Sequence, residues 1–207
     1  FINHKFFSNV IDINKKYTDL KVYREKKSID LTIEVTDEDG QTHVIFIENK
    51  VKSLPDKSQL IRYSEKNSNA KGILLSLVEP GFKLPESWFR RSYGELIEYY
   101  NDLLEKVDET FRLFLIDYIE YMKNVEKFIE KISYGESYFL EESSNKVLDG
   151  MRLRSVIEKI HYANLESQIA DLGYETYSDR IRGEHFFGIN FPIDGTTSSF
   201  EIGRAHV

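Results

Sequence analysis

The stretch from Ile29 to Lys50 constrains the fold more than any other part of the chain. It reads IDLTIEV, then TDEDGQT, then HVIFIENK, two segments of strand-forming residues around a turn rich in Asp and Gly. A β-hairpin follows. Ile45-Phe46-Ile47 is apolar at consecutive positions, as in a strand covered on both faces. The run nevertheless ends in a carboxylate, an amide and an ammonium, Glu48-Asn49-Lys50. Charges at the end of a covered strand need partners, and the hairpin decides which residues can supply them.

With a three-residue loop of Glu38, Asp39 and Gly40, and Gly40 in the left-handed conformation, paired positions sum to 78. Asp30 then lies opposite Glu48, with β-carbons about 5 Å apart on one face. Lys50 shares that face, because side chains alternate along a strand. A two-residue Asp39-Gly40 turn would instead set Asp30 against Asn49 and turn its carboxylate away. Under the first register two carboxylates roughly 4 Å apart repel by about 4 kcal/mol at an effective dielectric of about 20, so they call for a proton, a cation or both. Two readings remain: a structural Asp-Lys-Glu ion cluster, or a carboxylate pair that holds a divalent ion against a phosphate while Lys50 assists attack by water.

Composition narrows the chemistry. The 207 residues contain no cysteine, which excludes disulfides and thiolate metal sites. The five histidines, His4, His43, His161, His185 and His206, form no short-spaced pair. A metal would be held by carboxylates, which favours Mg²⁺ or Mn²⁺. No phosphate-binding glycine loop, nucleophile elbow or dinucleotide fingerprint is present. With no apolar run long enough for a membrane span and no signal-peptide layout, a soluble protein in the cytoplasm is expected. The net charge is −7, unevenly spread: residues 1–100 carry 16 Lys/Arg against 15 Asp/Glu, residues 101–207 carry 12 against 20. The first half is the better candidate to meet a polyanion.

Along the chain, Ile2, Phe6, Phe7, Val10 and Ile11 have helical spacing, so residues 1–13 are expected to be the end of a longer helix. Leu20 and Val22 read as extended. Ser53-Leu54-Pro55-Asp56 reads as a helix start, with the helix running to about Asn67, and GILLSLV as a buried strand over 72–78. Ser92-Tyr93-Gly94-Glu95 fits a capping box. The helix it opens carries Leu96, Tyr100, Leu103 and Val107. A second helix after an Asp108 cap carries Phe111, Leu115, Tyr118, Met122, Val125 and Ile129, and the two are expected to pack antiparallel along that seam, forming intramolecular core in preference to a dimer interface. A further helix is expected over 144–172, then strands near 174–178, 185–191 and 197–202. Residues 1–107 read as a core domain and 108–207 as a helical accessory region with terminal strands, packed on the core and available to a protein partner or a second copy. Trp88 reads as core, Lys15-Lys16 and Lys26-Lys27 as solvated. Arg24, Lys52, Lys57 and Arg62 read as a nucleic-acid-facing rim, and Arg90-Arg91 as a phosphate contact or a cap on the sheet.

The ordered set of these segments resembles the PD-(D/E)XK nuclease superfamily, within the restriction-endonuclease-like fold. SID at 28–30, a 17-residue gap and IENK at 47–50 match its motif; QLIRY at 59–63 matches the Gln-xxx-Tyr helix that follows, and GILLSLV the next strand. The resemblance covers roughly residues 1–100, best over 22–78. It implies an α/β fold, a mixed sheet flanked by helices, with Asp30 and Glu48 as ligands of Mg²⁺ or Mn²⁺ and Lys50 as the catalytic lysine. Gln59 and Tyr63 would lie beside the site, with Arg62 and Lys52 near the substrate. The expected activity is hydrolysis of phosphodiester bonds, DNA being the favoured substrate, in repair, restriction or phage defence. An inactive nuclease-fold module that binds a partner is the alternative. Ile29 stands where the family name has proline. The glutamate that many members supply from the first helix has no counterpart in residues 1–13, where Asp12 is the only acid, and is expected upstream of Phe1.

Overall fold

The computed structural model describes residues 2–51, 55–77, 79–133, 150, 154–181, 184–193 and 196–204. β1 (Tyr17–Lys26), β2 (Ile29–Asp37) and β3 (Thr42–Lys50) form an antiparallel meander. β4 (Lys71–Ser76) and β5 (Trp88–Arg91) then add in parallel to β3, giving one five-stranded sheet in sequence order. Parallel neighbours need a crossover. Helix α1 (Lys57–Lys66) supplies it between β3 and β4. Three helices follow: α2 (Tyr93–Leu103), α3 (Glu109–Ser133) and α4 (Arg154–Asp171). A separate antiparallel sheet of β6 (Glu175–Ile181), β7 (Glu184–Ile193) and β8 (Thr196–Arg204) completes the described chain. The expected mixed sheet flanked by helices is present.

The hairpin register is the one that sums to 78, from Leu31↔Ile47 to Thr36↔Thr42. Gly40 takes φ +80°, and its N–H donates to the Asp37 carbonyl at 3.0 Å. Asp37 organises the turn from inside: Oδ1 accepts the N–H groups of Asp39 and Gln41, and Oδ2 meets Lys15 at 2.9 Å and His43 at 3.0 Å. Those partners hold the Asp37 carboxyl well below its usual range, the His43 bond first and Lys15 next.

Alternation along the strands gives the sheet two covered faces. One face places Ile33, Val35, Ile45, Ile73 and Leu75 in a cluster with Phe6, Phe7, Leu96, Leu103, Leu115 and Met122. The other places Phe46, Leu74 and Trp88 under Leu60 and Tyr63 of α1. Each large apolar side chain so buried contributes about 1.5–3 kcal/mol. Gly72 is required on the α1 face, since a β-carbon there would lie 2.3 Å from the Trp88 ring. Trp88 is core, as expected, and its indole N–H donates to Ser64 Oγ at 2.9 Å.

Several expectations need correction. Residues 1–13 are not a helix: a single 3-10 turn spans Lys5–Phe7, and Asn9 lies at φ 69°. The physical reason is Arg91, whose guanidinium takes the carbonyls of Phe6 and Ser8 that a continuing helix would need. The apolar residues of the segment are buried all the same. Helix α1 begins at Lys57 with Asp56 as N-cap, which leaves Pro55 outside the first turn. Phe111, expected in the α2–α3 seam, is 48% exposed, whereas Leu96, Leu103, Leu115 and Met122 are buried. The capping box at Ser92 and Glu95 and the Asp108 cap are present. Lys52, Ser53, Leu54, Val78, the Ile129 side chain and residues 144–149 lie outside what the structure describes.

Candidate active site

β3, β4 and β5 run parallel, so their C-terminal ends share one edge of the sheet, and α1 starts beside it. Ligand sites in open α/β sheets form at such edges. The Asp56 carboxylate accepts the N–H groups of Ser58 and Gln59 and fixes the first turn of α1. Gln59 and Tyr63, one turn apart, then share the face that looks at the sheet. Tyr63 is buried and Gln59 half-buried.

Four expected residues meet in one hydrogen-bonded network. Lys50 Nζ lies 2.7 Å from Glu48 Oε1 and donates to Gln59 Oε1 at 2.7 Å. Gln59 Nε2 donates to Glu48 Oε1 at 2.9 Å and to the Tyr63 hydroxyl at 2.7 Å. The Tyr63 O–H in turn donates to the Ser28 carbonyl. Gln59 is thus the hub, its amide oxygen on the ammonium and its amide nitrogen on the carboxylate. The Glu48 and Lys50 side chains are 3% and 10% exposed. The second carboxylate oxygen, Glu48 Oε2, is buried with no hydrogen-bond partner.

Asp30 reaches the site differently from the other four. Backbone pairing of β2 with β3 ends at Leu31↔Ile47, and beyond it Asp30 Oδ2 accepts the Asn49 N–H at 2.8 Å. Its carboxylate takes over where the ladder stops. Burial pushes the Glu48 carboxyl up, Lys50 opposes the rise, and the Asp30 charge adds to it, so the two carboxylates are electrostatically coupled. Burial also pushes up the Tyr63 hydroxyl. Asn49 faces the other side of the sheet, where the Tyr93 hydroxyl donates to its Oδ1, the structural hydrogen bond expected there.

The turn before Asp30 is held under strain. Lys26 pairs with Ile29, and the two residues between them, Lys27 at φ 55° and Ser28 at φ 65°, are both left-handed without being glycine. Such a turn favours Asn-Gly. Each non-glycine residue there costs on the order of 1 kcal/mol. Helix α1 captures both carbonyls: Lys66 Nζ donates to Lys27 O at 2.6 Å and Tyr63 to Ser28 O. No sequence pattern flagged this turn, since neither residue is the Asn or Gly that usually takes the left-handed conformation.

The outer basic residues stand apart from the network. Arg62 is exposed and donates to Ser58 Oγ at 3.1 Å; Arg24 and Lys57 are exposed as well, and Lys52 is outside the described residues. Arg91 ties the N-terminal turn to the sheet, while Arg90 lies on the α1 face. Among the described residues no group of three or more His, Asp or Glu side chains is poised to hold a metal. The pair of Asp30 and Glu48 still fits a hard divalent cation, because Glu48 Oε2 is a buried acceptor with an unused lone pair and its neighbour is a second carboxylate.

No curated protein and no solved structure matches the sequence. The family model of the PD-(D/E)XK nuclease superfamily matches residues 2–184, most of the chain, and takes in the hairpin, the Gln59–Tyr63 helix and the strands beyond it. The chain belongs to the PD-(D/E)XK nuclease superfamily.

Proposed function

We propose that this chain is a divalent-metal-dependent nuclease that hydrolyses phosphodiester bonds of DNA. The observation that carries the reading is Glu48 Oε2, a buried carboxylate oxygen with no hydrogen-bond partner, next to Asp30 and two strand positions from Lys50. A native fold rarely leaves such an atom bare without a use for it. Asp30 and Glu48 would hold Mg²⁺ or Mn²⁺. The bound ion would supply Lewis acidity at a phosphate oxygen and make water a better nucleophile. Lys50 has three ammonium protons; two go to Glu48 and Gln59, and the third is left for a phosphate oxygen or the attacking water. Charge building on the phosphate is then met by an ammonium whose position Gln59 has already fixed. Tyr63 and Ser28 keep Gln59 and the Asp30 turn in place.

A second reading has one observation in its favour: the carboxylate pair has no third metal-binding side chain beside it among the described residues. On that reading the protein is a nuclease-fold binding module. Plasmid and oligonucleotide DNA incubated with Mg²⁺, Mn²⁺ or EDTA separate the two. Cleavage that requires metal and falls at least about 100-fold in Glu48→Gln and Lys50→Ala supports the nuclease. Absence of cleavage by the unaltered protein, together with no metal-dependent rise in Tm, leaves the binding module.

A further inference from the structure

We propose that Arg90 is a second anion-binding point on this face, which holds a phosphate of the nucleic-acid strand away from the cleavage point, and that Glu79 occupies it until the strand arrives. The inference rests on the nuclease reading for the identity of the anion. Its placement comes from the sheet. Glu48 pairs with Leu74 and Leu74 with Arg90, so the three stand in one row across β3, β4 and β5. Leu74 and Trp88 both pack against α1, which puts Arg90, two residues after Trp88, on the same face as Glu48. Two strand spacings are about 10 Å. A nucleic-acid strand rises about 3.4 Å per nucleotide, so Arg90 is offset from Glu48 by about three nucleotides' rise.

The two adjacent arginines divide their work. Arg91, on the opposite face, gives its donors to the carbonyls of Phe6, Ser8 and Arg90 and to Ser8 Oγ, and it also meets Glu95. Arg90 is bound by far less. Its Nη1 pairs with Glu79, a carboxylate that is 74% exposed, and its Nε is buried with no hydrogen-bond partner. A guanidinium whose one counter-ion is solvated has the charge to take a phosphate in that counter-ion's place. The Glu79 pair is weak enough to be displaced, as exposed ion pairs contribute little. The loop bearing Glu79 is held nearby, because Gly81 packs so closely on the Glu166 side chain that a β-carbon at 81 would lie 2.6 Å from it. Glu79 thus stands in for a phosphate and repels a strand that is not aligned with Arg90.

The test is fluorescence anisotropy with a labelled DNA oligonucleotide in EDTA across a KCl series, so that nothing is cleaved. Arg90→Ala is expected to weaken binding about tenfold and lower the salt slope by about one phosphate, while Arg90→Lys keeps the slope. Glu79→Gln is expected to tighten binding several-fold, and to do nothing once Arg90 is replaced. Arg90→Gln, which removes the charge and keeps some donors, carries the same comparison if truncation to Ala unfolds the strand end. Unaltered affinity and slope in a folded Arg90 variant, or an equal effect of Glu79→Gln with and without Arg90, overturns the proposal. Arg90-dependent binding without any metal-dependent cleavage would sink the nuclease reading alone, and cleavage with Arg90-independent binding would sink this inference alone. No binding by the unaltered protein overturns this inference, and the cleavage assay decides the nuclease reading separately.

Discussion

Glu48 and Lys50 are one buried ion pair, yet replacing either member should have opposite effects on the metal-free protein. Burial and the Asp30 charge raise the Glu48 pKa, so its ionised form is a destabilising element of the fold. Glu48→Gln keeps an oxygen for Lys50 and Gln59 and removes the bare carboxylate oxygen. Its expected outcome is a higher Tm in EDTA, from a gain in stability on the order of 1 kcal/mol, with the Mg²⁺-dependent rise in Tm lost. Lys50→Ala leaves the carboxylate buried without its cation and should lower stability by about 3 kcal/mol. Thermal melts of the three proteins in EDTA and in Mg²⁺ check both signs. A drop in Tm for Glu48→Gln would mean that Glu48 Oε2 is satisfied and the argument for a cation there fails.

Elements set these residues where they are, and the Lys27–Ser28 turn is the one under most tension. Ser28→Gly removes the left-handed cost while keeping the carbonyl that Tyr63 holds, and should raise stability by about 1 kcal/mol in a urea titration. Gly72→Ala should do the reverse: a β-carbon 2.3 Å from Trp88 displaces the ring from Ser64, for a loss of about 1–3 kcal/mol with weakened docking of α1. The hairpin register was legible in the sequence because its causes are local, a three-residue loop with Gly40 at the left-handed position. So were the capping box at Ser92 and the shared face of Gln59 and Tyr63. The 3-10 turn at Lys5–Phe7 was not, because what stops the helix is Arg91, which lies 85 residues from Phe6 in the chain. Strand β5 is only four residues long, so its parallel pairing, and with it the different duties of Arg90 and Arg91, had no periodicity to announce it. Gln59 could be placed beside the site from its spacing, but its part in joining Lys50 to Glu48 depends on how α1 docks.

At the scale of the molecule, two carboxylates give stability opposite pH dependences. The Asp37 pKa is lowered from 3.8 by His43 and Lys15, so its contribution is present above that value and is lost as pH falls below it. The Glu48 pKa is raised from 4.5, so its contribution is present below that value and is lost as pH rises through the higher folded one. Metal-free protein should therefore be most stable in mild acid. Mg²⁺, by favouring the ionised Glu48, should move the optimum toward neutrality, and melts from pH 3 to 8 with and without Mg²⁺ read the shift. The five residues of the proposed site fall within 34 consecutive positions, 30 to 63, and the hairpin alone joins the two carboxylates. Closing so short a loop carries little entropic cost, which favours early pairing of β2 and β3 in folding. The carboxylates then meet before the rest of the sheet can shield them, and function opposes folding at its first long step. Refolding in EDTA should be faster near pH 4 than near pH 7, and Glu48→Gln should erase that difference in stopped-flow traces.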